Sequence, residues 1–165
     1  MTAILPPATL GILGGGQLGR YFVQAAQKLG YQVWVLDPDP DSPAGRIADR
    51  HLAAAYDDQA ALDALAAHCA AITTEFENVP APSLEYLART VRVAPAAAAV
   101  GVCQDRIAEK AFLQRHGLPH GPYAVIRTAA DIQAADSVLF PGILKVARFG
   151  YDGKGQARVE NLAQA

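Results

Sequence analysis

The sequence predicts an α/β protein: an open parallel-sheet domain, then the start of a second, mainly antiparallel unit ending in a strand–loop–strand lid. Three observations predict it. The apolar run Thr9–Leu13 ends in Gly14-Gly15-Gly16, and Leu18, Phe22, Ala25, Ala26 and Leu29 then recur at helical intervals up to Gly30. Strand-like and helix-like segments go on alternating to about residue 95, the pattern of a parallel sheet with right-handed crossovers. Beyond that point the alternation stops, and Gly150-Tyr151-Asp152-Gly153-Lys154-Gly155-Gln156 lies between two short apolar strands.

Each element follows from local chemistry. Gln32–Leu36 reads as the second strand, and the prolines of Asp37-Pro38-Asp39-Pro40-Asp41-Ser42-Pro43 then deny both helix and ladder hydrogen bonds. A short strand near His51–Ala54, a helix from about Gln59 to His68, a strand Ala70–Thr74 and a Pro82-initiated helix to about Ala88 complete the first domain, placed at 1–98. In the second unit, 99–165, a helix runs from Asp105 to His116, stopped by Gly117 and Pro119. Extended segments are expected at Pro122–Arg127, Ile143–Val146 and Gln156–Val159, with a short helix from about Ala129 and another beginning at 161–165. So few strands bury too little for a complete second domain, which predicts a natural protein that continues.

Composition narrows the function. Hydrophobic content of 52% with 18% charged residues excludes a disordered chain, and a net charge of −2 gives no footprint for nucleic acid or an anionic membrane. The N-terminus lacks a basic segment followed by a long apolar one, and no apolar run reaches the roughly 18 residues of a membrane span. Cys69 and Cys103 form no C-x-x-C pair and read as buried thiols in a reducing cytoplasm. His51, His68, His116 and His120 have no metal spacing. Small-molecule chemistry is what remains.

Gly14-Gly15-Gly16-Gln17-Leu18-Gly19 satisfies G-x-G-x-x-G between a strand and a helix, with Asp37 where a ribose-binding acid would sit. That is the fingerprint of a dinucleotide-binding Rossmann-like domain, although such a turn can equally hold a ribonucleotide phosphate or serve only tight packing. Glu75 and Glu77 follow a central strand and share a face if the backbone stays extended, on the rim where such sheets gather ligands. They suit ribose hydroxyls or an exocyclic amine. Downstream, the glycines of 150–156 free backbone N–H groups for phosphates, and Lys145, alternating with Leu144 and Val146, is expected in partly apolar surroundings that an anion would relieve. The spacing is not that of a P-loop.

Taken together, Gly-Gly-Gly-Gln-Leu-Gly-Arg (14–20), Thr-Glu-Phe-Glu-Asn-Val-Pro (74–80), Gln-Asp-Arg (104–106) with Glu109-Lys110, and Gly-Tyr-Asp-Gly-Lys-Gly-Gln (150–156) resemble the 5-(carboxyamino)imidazole ribonucleotide synthases, ATP-grasp carboxylases of purine biosynthesis. The resemblance implies a Rossmann-like pre-ATP-grasp domain followed by the start of an ATP-grasp domain. It implies ATP contacts from Arg106, Lys145, Gly150, Tyr151, Asp152, Gly153, Lys154, Gly155 and Gln156. It also implies a substrate site bordered by Gly16, Gln17, Leu18, Glu75, Tyr151 and Asp152, with no general base in this segment. The implied substrates are aminoimidazole ribonucleotide, bicarbonate and ATP with Mg²⁺, whose ligands are expected beyond residue 165; the implied enzyme is a cytoplasmic homodimer. The run Lys145-Val146-Ala147-Arg148-Phe149 before the lid departs from the family, which often has a more basic run and another glycine there; Phe149 is expected to stiffen the lid without removing a phosphate donor. This chain alone is expected not to turn over. Competing readings are a formate-dependent glycinamide ribonucleotide transformylase, a biotin carboxylase, an NAD-dependent oxidoreductase that leaves 150–156 unexplained, and a non-catalytic module.

Overall fold

An apolar strand running into three glycines must leave the sheet abruptly, and β1 (Thr9–Leu13) does so at Gly14, whose φ of 106° is accessible to glycine. The chain then enters α1 (Gln17–Lys28) and returns as β2 (Gln32–Leu36). The computed structural model describes residues 3–150 and 153–165, and it divides into two units, Met1–Gly101 and Val102–Ala165.

The first unit continues with β3 (Arg50–Leu52), α2 (Gln59–His68), β4 (Ala71–Thr74), α3 (Ala81–Leu87) and β5 (Arg92–Val93), and α4 (Ala97–Cys103) follows. All strand pairs are parallel, in the order β3-β2-β1-β4-β5. Period-two alternation sends neighbouring residues to opposite faces. Ile12, Val33 and Val35 meet Val23 and Ala26 of α1, whereas Leu13, Leu36 and Ile72 meet Leu62, Leu65, Leu84 and Leu87 of α2 and α3. Helices therefore cover both faces, and the chain reverses direction across the sheet between β1 and β4. That reversal opens a crevice at their carboxyl ends, where ligands of such sheets gather.

α2 is capped by Asp58, which accepts from the Ala61 amide at 2.8 Å. α3 begins at Ala81, one residue before the proline expected to initiate it. α4 was not anticipated from the sequence; Ala97 and Val100, three apart, bury its inner face.

In the second unit, α5 (Arg106–Arg115) is capped by Asp105, and α6 (Ala129–Gln133) by a reciprocal box between Thr128 and Asp131. A 3₁₀ turn at Ser137–Leu139 leads to β6 (Gly142–Lys145), which pairs antiparallel with β7 (Gln156–Val159). Pro122–Arg127, expected to be extended and paired, is irregular. No strand among the described residues lies beside it to take its backbone groups. The helix expected at the end is a single 3₁₀ turn, Leu162–Gln164, capped by Asn161. Cys69 is buried and burial pushes its thiol up to about 12, but Cys103 is exposed, contrary to the expectation that both are buried.

Candidate functional site: a plugged glycine turn and a cationic hollow

At the end of β1 every glycine amide already has an acceptor. Gly14 N–H donates to the Leu36 carbonyl at 3.0 Å, Gly15 N–H to Asp37 Oδ2 at 2.7 Å and Gly16 N–H to Glu75 Oε1 at 2.9 Å. A phosphate cradle built on these three amides, one reading of the motif, is therefore closed. Among the described residues, no protein acceptor stands against the N–H groups of Gln17, Leu18 and Gly19 at the start of α1, the donors that a helix leaves open. Tight packing explains Gly19, since a Cβ there would lie 2.6 Å from the Gly14 carbonyl oxygen.

Asp37 is the buried anchor of this turn. Its Oδ2 also accepts from Tyr56 Oη at 2.7 Å, and its Oδ1 accepts from the Asp39 amide at 2.9 Å. Burial first, then the bond to Asp37 and the charges of Asp37 and Glu75, raise the Tyr56 phenol above its ordinary value and keep it a donor. The residue expected to hold a ribose thus holds the backbone instead. Sequence position could not separate the two roles, because only the direction of the side chain does.

Glu75 follows β4, its amide bonded to the Leu13 carbonyl at 3.1 Å, so Gly16, Gln17, Leu18 and Glu75 converge on the β1–β4 crevice. Among the described residues, its second oxygen, Oε2, has no hydrogen-bond partner. Glu77 does not share this face. The backbone leaves the strand after Thr74 and turns, with the Val79 amide bonded to the Phe76 carbonyl at 3.3 Å, so the extended geometry needed to align the two acids is absent.

The second unit contains a hollow of about 1020 Å³. Arg106, Glu109 and Lys110 reach it from α5, Lys145 from β6, and Gly155 and Gln156 from the far side of the hairpin. Lys145 and Gln156 are direct partners in the β6–β7 ladder, which brings the cation beside the glycine loop. Lys145 is exposed, and Ile143 and Leu144 are exposed too, so the partly apolar environment expected for its ammonium is not present around this two-stranded ribbon. Gly150, Gly153 and Lys154 belong to the connecting loop rather than to the lining of the hollow, and Tyr151 and Asp152 lie outside the described residues.

A tie that sequence reasoning missed fixes the root of that loop. Asp105 accepts from the amides of Ile107 at 2.8 Å and Ala108 at 3.3 Å, and from Arg148 Nε at 3.0 Å, while the Arg106 amide donates to the Ala147 carbonyl at 2.9 Å. Arg148, with support from the two amides, holds the Asp105 carboxyl below its ordinary value. Forty-three residues separate the partners, and no local signal links them.

Among the described residues no three His, Cys, Asp or Glu side chains gather as a metal site, and no helix is long and apolar enough to cross a membrane.

A doubly covered parallel sheet with a glycine turn, followed by a helix and a glycine-looped hairpin around a cationic hollow, defines the class. Residues 7–104 match the ribonucleotide synthetase preATP-grasp domain and residues 111–165 the ATP-grasp domain; the chain belongs to the family of ribonucleotide synthetase preATP-grasp domains. Within that class its relatives are N5-carboxyaminoimidazole ribonucleotide synthases. It is 45% identical over 162 residues to that of Brucella melitensis, covering 98% of this chain and 45% of the relative. It is 42% identical over 155 residues to that of Staphylococcus aureus, covering 93% and 41%. Among solved structures, the Staphylococcus aureus N5-carboxyaminoimidazole synthetase complexed with ADP superposes with a TM-score of 0.92 at 38% identity, over 99% of this chain and 44% of that one. The Aspergillus clavatus synthase in complex with ADP and 5-aminoimidazole ribonucleotide gives 0.81 at 33%, over 94% and 41%. The chain spans somewhat under half the length of the curated relatives it matches. The oxidoreductase reading is set aside, because the amides that would grip a pyrophosphate are taken and the family is a different one.

Proposed function

We propose that this chain supplies the ribonucleotide-binding domain and the opening of the ATP-binding domain of an ATP- and bicarbonate-dependent carboxylase acting on 5-aminoimidazole ribonucleotide, with a division of labour near residue 98. The observation that carries the reading is the convergence of Arg106, Lys145, Gly155 and Gln156 on one hollow, in a chain whose relatives bind ADP and the ribonucleotide. Arg106 and Lys145 are the cations for the nucleotide's phosphates, and the loop from Gly150 to Gln156, with Tyr151, Asp152, Gly153, Lys154 and Gly155, is the lid over them. Gly16, Gln17, Leu18 and Glu75 border the ribonucleotide. Glu75 Oε2 suits a hydroxyl or amine donor, and the open amides of Gln17 and Leu18 suit an acceptor oxygen.

In the reaction, a bicarbonate oxygen attacks the γ-phosphorus of ATP, the bond to the bridging oxygen breaks, and ADP leaves carboxyphosphate behind. The exocyclic amine then takes the carboxyl carbon, directly or as released CO₂, and phosphate departs. This segment contributes electrostatics and positioning: fixed cations and amide donors that offset charge on the transferring phosphoryl group, and a lid that keeps water from a labile acyl phosphate. By family resemblance the reaction also uses Mg²⁺, which would neutralise charge on the phosphates of ATP. By family resemblance the working enzyme is a cytoplasmic homodimer.

The test is a hybrid in which this chain replaces the matching segment of the Staphylococcus aureus synthase. ADP release that requires both aminoimidazole ribonucleotide and bicarbonate is the expected result. Release driven by glycinamide ribonucleotide with formate, or none with any of these, overturns the proposal.

A further inference from the structure

The glycine turn carries its own occupant, and the occupant is built rather than incidental. Asp37 is buried to within 8% exposure, and all its hydrogen-bond donors come from three separate places: the turn itself through Gly15, the segment after β3 through Tyr56, and its own loop through Asp39. The loop that starts at Asp37 is further fixed by the Ala44 amide on the Gly15 carbonyl at 2.8 Å and by His51 Nε2 against the Asp37 carbonyl at 3.2 Å. A Cβ on Gly15 would lie 2.8 Å from Asp37 Cβ, so the acid and the turn are in direct contact.

Asparagine cannot replace this carboxylate without loss. Three donors point at two oxygens, and an amide offers one oxygen and one donor group, so at least one N–H would face another N–H. Two carboxylates at the turn also place negative charge where a pyrophosphate would have to sit.

We propose that Asp37, held by Tyr56, is a positioning and specificity residue that plugs the glycine turn: it takes the Gly15 amide as Glu75 takes that of Gly16, closing the turn to dinucleotides and setting the donors of Gln17 and Leu18 and the free oxygen of Glu75 for a single ribonucleotide. The inference rests on the reading that this crevice borders the ribonucleotide.

The experiment is nuclear magnetic resonance on the isotopically labelled 165-residue chain, with aminoimidazole ribonucleotide, NADH and a non-hydrolysable ATP analogue as probes. In the wild type the Gly15 amide exchanges slowly, the ribonucleotide shifts the resonances of residues 16–18 and 75, and NADH shifts none of them. Asp37→Asn leaves at least one of the three donors facing an N–H and weakens the ribonucleotide about tenfold, the scale of one lost hydrogen bond to a charged group. Tyr56→Phe, which keeps the carboxylate, weakens it about threefold, a smaller step in the same direction. The ATP analogue binds all three proteins alike, and the amides of β1 and β4 stay protected in all three, which a general loss of folding of the first unit would not allow.

Free exchange at Gly15 in the wild type, unchanged ribonucleotide affinity in Asp37→Asn, or NADH binding at the turn each overturns the plug. If the ribonucleotide leaves the turn resonances of the wild type unmoved, the placement of substrate fails first and takes the inference with it. That failure is recognised because Gly15 remains protected.

Discussion

Replacing Asp105 tests whether the helix bearing Arg106 and the root of the glycine loop work as one piece. Asp105→Ala removes an N-cap, which costs about 1 kcal/mol. It also removes the contact with Arg148, whose side chain is 54% exposed, and an ion pair so open to water contributes only about 0.5 kcal/mol. The sum of about 1.5 kcal/mol corresponds to about a tenfold rise in the exchange rate of amides that open with the first turn of α5. Asp105→Asn keeps a good cap and loses only the ion pair, so its exchange should rise about twofold. Native-state hydrogen exchange at Ile107 and Ala108 reads both.

The pH dependence has a definite sign. A carboxyl held low in the folded state contributes stability above its unfolded value of about 3.9 and loses it as pH falls through the lower folded value. The gap between wild type and Asp105→Asn is therefore full at neutral pH and closes on acidification below that point. Equal protection in the wild type and Asp105→Ala, equal damage from Ala and Asn, or a gap that widens in acid would refute the reasoning.

Three further outcomes follow from single residues. Lys145→Met removes an exposed cation from the hollow, so the ATP analogue should bind about tenfold more weakly by calorimetry while thermal unfolding stays unchanged. Iodoacetamide at pH 8 should label Cys103 and spare the buried, high-pKa Cys69, giving one adduct by mass spectrometry; two adducts would contradict the burial of Cys69. Phe149 sits at φ 60°, so Phe149→Gly should relieve about 1 kcal/mol of backbone strain, visible as slower exchange of the Val146 amide that bonds the Gly155 carbonyl at 2.8 Å; faster exchange would show the aromatic ring to be a net stabiliser.

The first domain was legible because its signals are local and strong. β1, the glycine turn, α1 and β2 were placed within a residue or two by apolar spacing and glycine alone. α4 was not, because an alanine-rich stretch gives little apolar contrast between its buried and open faces. Pro122–Arg127 is a short apolar run of strand length, yet a strand is defined by its neighbour, and none lies beside it among the described residues. Lys145 shows the same limit: β6 was placed correctly, but the environment of a side chain depends on what packs across it. The Asp105–Arg148 tie was invisible for a third reason, sequence distance.

The glycine turn shows why a motif needs its hydrogen-bond accounting before it means anything. G-x-G-x-x-G names residues that permit close approach, but ligand choice depends on which amides remain unpaired once the chain has folded. Here one acid at the end of β2 and another after β4 satisfy two of them, so the letters of a dinucleotide site are present while its donors are not. Had Asp37 turned outward, the same sequence would leave the Gly15 amide open and an acid on the rim, which is the arrangement that grips a dinucleotide and its ribose. A phenol and a loop amide decide between these outcomes by giving the inward carboxylate its other two hydrogen bonds. Specificity in this domain therefore lies one layer beneath the surface that a ligand touches, in contacts that exist before any ligand arrives.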